Sequence, residues 1–257
     1  MTNYIAKKPD AKGIVHFTSE ENATWKILIE RQLQTIKNRA CPEFLHGLKM
    51  LDMPLDRIPQ CSEMSAKLTA ATNWSVAPVD TIIPLENFFS LLANRQFPAA
   101  TFIRIREELD YLEEPDIFHE FFGHCPLLTQ PAYADFIQWY GMNALGKNKK
   151  TQSLLGRLFW FTVEFGLIQT KDGLRIYGGG ILSSHEETQY ALESSIPKRS
   201  PFDLATILNT EYRYDQIQKQ YFYINDLKDL FELKSEKIIQ LVEHQVGDAK
   251  DTNFVIC

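Results

Sequence analysis

Pro115-Asp116-Ile117-Phe118-His119-Glu120-Phe121-Phe122-Gly123-His124 decides how this chain is read, because two imidazoles so close together in an apolar run point to ligands of one metal. In the HExxH helix of a zinc protease the second His falls four positions after the first, one turn on and on the same face. Here that position is Gly123. On an ideal α-helix a five-residue spacing splays two rings by roughly 140°, so two-ligand geometry requires the helix to stop between them. Gly123 is read as that stop, since glycine accepts the left-handed conformation that ends many helices, and Pro126 follows to prevent resumption. Pro115 at a first helical position and carboxylates at Glu113, Glu114 and Asp116 mark the start. The expectation is a short helix over residues 115–122, with His119 facing inward and His124 brought back by the break. The plainer alternative is a pair of helix-end histidines satisfied by backbone carbonyls.

Two imidazoles leave a metal undersaturated, and Glu164 is the best candidate for a third ligand. It sits in a helix-length run, residues 154–168, that is apolar nearly all round and therefore expected to be buried. A lone ionised carboxylate there is costly unless it is paired or bound to a metal. Arg157 is the alternative partner, two helical turns away. Two His and one carboxylate with open positions describe the facial triad of non-haem Fe(II) oxygenases, although a catalytic zinc can use the same set.

Composition bounds the answer. The 257 residues can bury a sizeable core as one domain, although length alone allows two, and 44% hydrophobic with 12% aromatic content excludes a disordered chain. The apolar stretches are too short for a membrane span, and Lys7, Lys8, Asp10 and Lys12 interrupt any signal-like region, so a cytoplasmic location is expected. Cys41, Cys61, Cys125 and Cys257 have no CxxC spacing and are expected to be reduced thiols. A net charge of −6 argues against a nucleic-acid partner.

Periodicity predicts an extended arm over residues 1–20 and helices over 21–38, 41–51 and 59–71. Residues 73–84 read as irregular, and 101–106 as a short strand that puts Phe102, Arg104 and Arg106 on one face. Residues 147–150 read as a solvated loop. Ser183 and Ser184 each precede a Glu by three, a capping-box start for a helix through Leu192. Residues 217–246 read as amphipathic helix in at least two pieces. The fold class is mainly α with a few short strands.

The chain resembles the pterin-dependent aromatic amino acid hydroxylases, most closely the short bacterial phenylalanine 4-hydroxylases. The resemblance rests on residues 88–104, 115–127, Phe159-Trp160-Phe161-Thr162-Val163-Glu164-Phe165-Gly166-Leu167 and Tyr177-Gly178-Gly179-Gly180-Ile181-Leu182-Ser183-Ser184, in the family's order and spacing. It implies a single catalytic domain spanning 1–257, a basket of helices with iron near the floor of a cleft, and no regulatory domain or tetramerisation tail. It implies Fe(II) and tetrahydrobiopterin or a related tetrahydropterin as cofactors, with O2 and L-phenylalanine as substrates and a monomer or dimer as the assembly.

By resemblance, His119, His124 and Glu164 hold the metal. Arg104 takes the substrate carboxylate with Asp116 beside it, and Trp160 packs on the substrate ring. Tyr111, Gly180 and Ser183 form the pocket wall, while Phe88 stacks on the pterin and Glu120 faces it. Without the resemblance, Arg104 reads as an exposed strand charge, Phe88 as core and the three glycines as a flexible turn. Trp160 fits enzymes acting on phenylalanine or tyrosine better than those acting on tryptophan, and phenylalanine is the expected substrate. Hydroxylation of tyrosine or tryptophan, and a zinc hydrolase with Glu120 as base, are the alternatives.

Overall fold

The computed structural model describes residues 4–80, 83–110, 114–232 and 236–245. Four helices come first: α1 (Ser19–Thr35), α2 (Pro42–Leu51), α3 (Cys61–Thr72) and α4 (Leu85–Ala93). Next are α5 (Cys125–Leu128), α6 (Pro131–Ala144) and α7 (Lys149–Phe159), then α8 (Gly179–Ser183), α9 (His185–Glu193) and α10 (Leu204–Asn209). Leu227–Glu232 (α11) and Glu236–Gln245 (α12) close the described chain. Thr18 starts α1 with a reciprocal capping box, its hydroxyl accepting from the Glu21 N–H while the Glu21 carboxylate accepts from the Thr18 N–H.

Six short strands complete the fold. A parallel pair joins β1 (Ser75–Val79) to β2 (Gln96–Ala100). The other four are β3 (Gly166–Thr170), β4 (Gly173–Ile176), β5 (Lys198–Pro201) and β6 (Gln220–Ile224), in the order β4-β3-β6-β5. The β3–β4 pair is an antiparallel hairpin, and β6 runs parallel to both its neighbours. The fold is thus mainly α with a few short strands, as the sequence implies.

Several local expectations are corrected. The strand expected at 101–106 lies one step earlier, at β2, because its partner β1 ends at Val79 opposite Ala100. Beyond that point the arm takes over the pairing: Lys7 N–H donates to the Thr101 carbonyl and the Thr101 hydroxyl donates to the Lys7 carbonyl. Residues 101–104 are all buried, so no two-faced strand exists there. The irregular segment 73–84 contains β1, and the 147–150 loop is replaced from Lys149 by the first turn of α7, capped by Asn148. The apolar run around Glu164 is not one helix. It is α7, then a π-helical turn over Trp160–Glu164, then β3. Residues 220–224, expected as helix, form β6, where Tyr221, Phe222 and Ile224 are buried between β3 and β5.

The helix expected to break between the two histidines does not break. Residues His119–His124 form a π-helical turn that runs directly into α5, with Cys125 N–H donating to the Glu120 carbonyl five residues back. A π turn holds about 4.4 residues, so a five-residue spacing returns near to the starting face. Gly123 is needed for another reason. It has no positive φ, and a Cβ on it would lie 2.6 Å from the Gly179 carbonyl oxygen, so its bare backbone lets α8 close against the π turn.

Candidate active site

Three side chains from the two π turns meet at one point. His119 Nε2 lies 3.0 Å from His124 Nε2, His124 Nε2 lies 3.3 Å from Glu164 Oε1, and His119 Nε2 lies 3.7 Å from Glu164 Oε2. For metal–ligand bonds of about 2.1 Å, ligands at 90° sit about 3.0 Å apart and at tetrahedral angles about 3.4 Å, so these spacings are those of one coordination sphere. Glu164 Oε2 is buried without a hydrogen-bond partner, leaving a carboxylate lone pair that a cation would satisfy. Arg157, the alternative partner for Glu164, donates instead to the Leu208 carbonyl at 2.6 Å.

A second buried carboxylate competes for the third position. Glu120 and the two imidazoles have ligand atoms within 4.8 Å of one another. Glu164 is the better ligand, because its oxygens stand 3.3 and 3.7 Å from the two Nε2 atoms. Burial, with the charges of Glu164 and Asp116 adding to it, pushes the Glu120 carboxyl well above its ordinary range. For Glu164 burial also pushes upward, but His124, His119 and the Gly180 N–H together outweigh it and hold this carboxyl below its usual value. Burial carries the His119 imidazole down to about 4, against the attraction of Glu164, so its neutral, metal-binding form is favoured.

The surroundings orient these groups. Ser183 Oγ is 2.9 Å from His119 Nδ1 and donates its own proton to the Gly180 carbonyl. It therefore accepts from Nδ1–H, which leaves the Nε2 lone pair free to face the cluster. The three glycines 178–180 are close-approach positions. A Cβ on Gly179 would lie 2.4 Å from His124 Cε1, one on Gly178 2.4 Å from the Glu164 carbonyl oxygen, and one on Gly180 3.0 Å from Glu164 Oε2. They press on the candidate ligands, a tighter role than flexibility.

A cleft of about 140 Å³ opens above the cluster, lined among others by Arg104, His119, Trp160, Glu164, Gly180 and Ser183. Arg104 is buried, not an exposed strand charge, and Asp116 takes its Nε at 2.8 Å, its Nη2 at 2.9 Å and its backbone N–H at 3.0 Å. Asp116 also accepts the His119 N–H at 3.0 Å, tying the guanidinium to the metal turn. The outer edge of the guanidinium remains for a ligand, in a fork suited to a carboxylate. Trp160 is in ring contact with Tyr212 and Phe165 and donates its indole N–H to Gln218 Oε1.

Other expected residues fall elsewhere. Phe88 is buried edge-on against Phe89 and Phe159, outside the cleft lining, as is Glu120. Tyr111 lies outside the described residues. Sequence reasoning missed Glu187 and Gln218. The capping box that it saw at Ser184 and Glu187 is half formed: Ser184 Oγ accepts the Glu187 N–H, but the Glu187 carboxyl turns to Tyr221 OH and the Gln218 N–H.

The sequence profile of the biopterin-dependent aromatic amino acid hydroxylases matches residues 3–245. The chain belongs to this family. A phenylalanine-4-hydroxylase of Pseudomonas aeruginosa is 51% identical over 94% of this chain and 92% of its own length. One from Vibrio cholerae is 47% identical over 96% of this chain and 86% of its own. Among solved structures, the apo cold-active phenylalanine hydroxylase of Colwellia psychrerythraea superposes with a TM-score of 0.92 at 46% identity, covering 95% of this chain and 94% of that one. The Chromobacterium violaceum phenylalanine hydroxylase with bound iron(III) and 7,8-dihydrobiopterin gives 0.87 at 45% identity, covering 91% of this chain and 85% of that one. Family membership therefore makes the chain a biopterin-dependent aromatic amino acid hydroxylase. Among the described residues no helix is long and apolar enough to cross a membrane.

Proposed function

We infer that this chain hydroxylates L-phenylalanine to L-tyrosine, using O2 and a tetrahydropterin at a non-haem Fe(II) centre held by His119, His124 and Glu164. The convergence of those three side chains from two π turns, with an unsatisfied Glu164 oxygen beside them, carries the reading. The donor set fits iron: two imidazoles and one carboxylate would hold Fe(II) as the facial donor set of non-haem oxygenases does. Bound iron and reduced pterin supply the activation of O2 that no amino-acid side chain provides.

The protein's own residues do the rest. Arg104, fixed by Asp116, binds the amino acid carboxylate, and Trp160 packs on the substrate ring so that its para carbon points to the metal. Ser183 sets the His119 tautomer, and Gly180 keeps the wall beside Glu164 thin. Tyr111 is assigned to the wall, and Phe88 and Glu120 to the pterin side, on the resemblance alone. Burial of the cluster under the cleft excludes water from the reacting face, which limits wasteful side reactions. The chain is read as one catalytic unit with residues 1–20 as an arm, cytoplasmic, and a monomer or dimer. Phenylalanine is preferred over tyrosine and tryptophan because the relatives above carry that activity in their names.

Anaerobically loaded Fe(II) protein, given tetrahydrobiopterin, phenylalanine and then O2, tests the reading when O2 uptake and tyrosine are followed together. Glu164→Ala and His119→Ala should abolish tyrosine formation, and Arg104→Ala should chiefly raise the phenylalanine KM. Wild-type tyrosine yield from either ligand variant would remove the assignment. Activity supported by zinc without pterin or O2 would show a hydrolase instead.

A further inference from the structure

Behind the cleft wall, Gln218 is buried at the junction of three elements that all border the substrate space. Its Oε1 accepts the Trp160 indole N–H at 3.1 Å. Its Nε2 donates to the carbonyls of Arg213 at 2.8 Å and Gln216 at 2.7 Å, pinning the loop that sends Tyr214, Gln216 and Ile217 into the cleft. Its backbone N–H donates to Glu187 Oε1, a carboxyl on α9 that is itself buried at the cleft. A single side chain thus uses its acceptor and both its amide hydrogens on structures that shape the pocket. Nothing in a merely space-filling role requires an amide here, and an apolar residue of the same size would leave the buried Trp160 indole N–H unpaired and release the Arg213 and Gln216 carbonyls from the side chain that holds them.

We propose that Gln218 is a specificity-determining positioning residue: it locks the Trp160 indole and the 213–217 loop into one rigid wall whose shape selects the substrate ring. The inference rests on the reading of Trp160 as the surface that packs on that ring. The ring contacts of the indole with Tyr212 and Phe165 are non-directional and do not by themselves fix its orientation. The N–H bond to Gln218 supplies the directional tie that does. Glu187 acts at one remove, by holding the Gln218 backbone and accepting from Tyr221 on β6.

Gln218→Met preserves volume and deletes the amide. It should raise the phenylalanine KM roughly five- to tenfold, lower the ratio of phenylalanine to tryptophan kcat/KM by a similar factor, and leave the pterin KM within about twofold. A second readout is independent of turnover. In metal-free protein labelled with 5-fluorotryptophan, the Trp160 resonance, assigned by its loss in Trp160→Phe, should be one sharp line in the wild type and broadened or shifted in Gln218→Met. The wild-type Trp160 indole N–H should also exchange slowly with solvent deuterium, a measurement that survives any failure of the variant to fold. An unmoved Trp160 line in folded Gln218→Met, unchanged amino acid selectivity, or fast indole exchange in the wild type would each overturn the proposal. If wild-type protein makes no tyrosine while the resonance and exchange behave as expected, the functional reading fails and the wall remains.

Discussion

Gly179→Ala is the sharpest test of how the metal cluster is built, because one methyl group is aimed at one ligand. The added Cβ would lie 2.4 Å from His124 Cε1, 2.5 Å from Nδ1 and 2.9 Å from Nε2. Carbon atoms in contact sit at about 3.5–4.0 Å, so ring and backbone must separate by about 1 Å or more. Neither has room. Phe97 lies across the imidazole at a centroid distance of 5.0 Å, and α8 is held against the π turn where the Gly179 carbonyl meets Gly123. Coordination distances tolerate only about 0.2 Å, so a displaced Nε2 is lost to the metal. Strain of about 1–3 kcal/mol in the metal-free protein and a fall in metal affinity of at least about a hundredfold are expected. Metal-free unfolding midpoints and an anaerobic Fe(II) or Co(II) competition titration measure the two effects separately. Gly180→Ala, whose Cβ meets Glu164 Oε2 at 3.0 Å, should be the milder change. Wild-type metal affinity in Gly179→Ala would show that His124 is free to move, and the preorganised cluster argued here would be wrong.

Two further outcomes follow from buried charge. Burial raises the Glu187 carboxyl from its usual 4.5 to about 7, so in the folded state it keeps a proton that the unfolded chain has already lost over that interval. Stability from this group is present below pH 4.5 and lost as pH rises through about 7, up to about 3 kcal/mol. Glu187→Gln should therefore unfold at a higher midpoint than wild type at pH 8 and show little gain at pH 4.5; equal gains at both would refute the buried-acid account. Asp116→Asn leaves the Arg104 cation buried without its counter-charge, which costs about 3–5 kcal/mol, and loosens the fork expected to bind substrate. Urea midpoints and the phenylalanine KM should move together, and an unaffected KM in a destabilised variant would separate Arg104 from substrate binding.

How far the sequence could be read depended on whether a residue's partner was local. The apolar spacings behind the helices read over 21–38 and 41–51 are local in sequence, and they place α1 and α2 to within a few residues. Residues 220–224 were misread because Tyr221 and Phe222 fit a helical stripe as well as a buried strand; the deciding fact is pairing with β3 and β5, which start more than 15 residues away. The capping box at Ser184 was half right for the same reason. Its hydroxyl serves the local N–H, but Tyr221 and Gln218 hold the Glu187 carboxyl from across the fold.

At the metal cluster the residue types were legible and the geometry was not. A 3.6-residue helix cannot bring His119 and His124 together, which made a helix break at Gly123 the natural inference. The chain instead widens the helix at both ligand segments, and the same device places Glu164, where Phe165 N–H donates to the Trp160 carbonyl five residues back at 2.8 Å. A π turn gives up the regular ladder, so it persists only where surrounding contacts over-determine it. Those contacts are the glycines of α8. Gly123 lets α8 approach, and Gly178, Gly179 and Gly180 keep its surface flat enough to lie on His124 and Glu164 at once. The glycine run and the two π turns are therefore one construction, and Gly179→Ala perturbs it at the point where an imidazole has the least room.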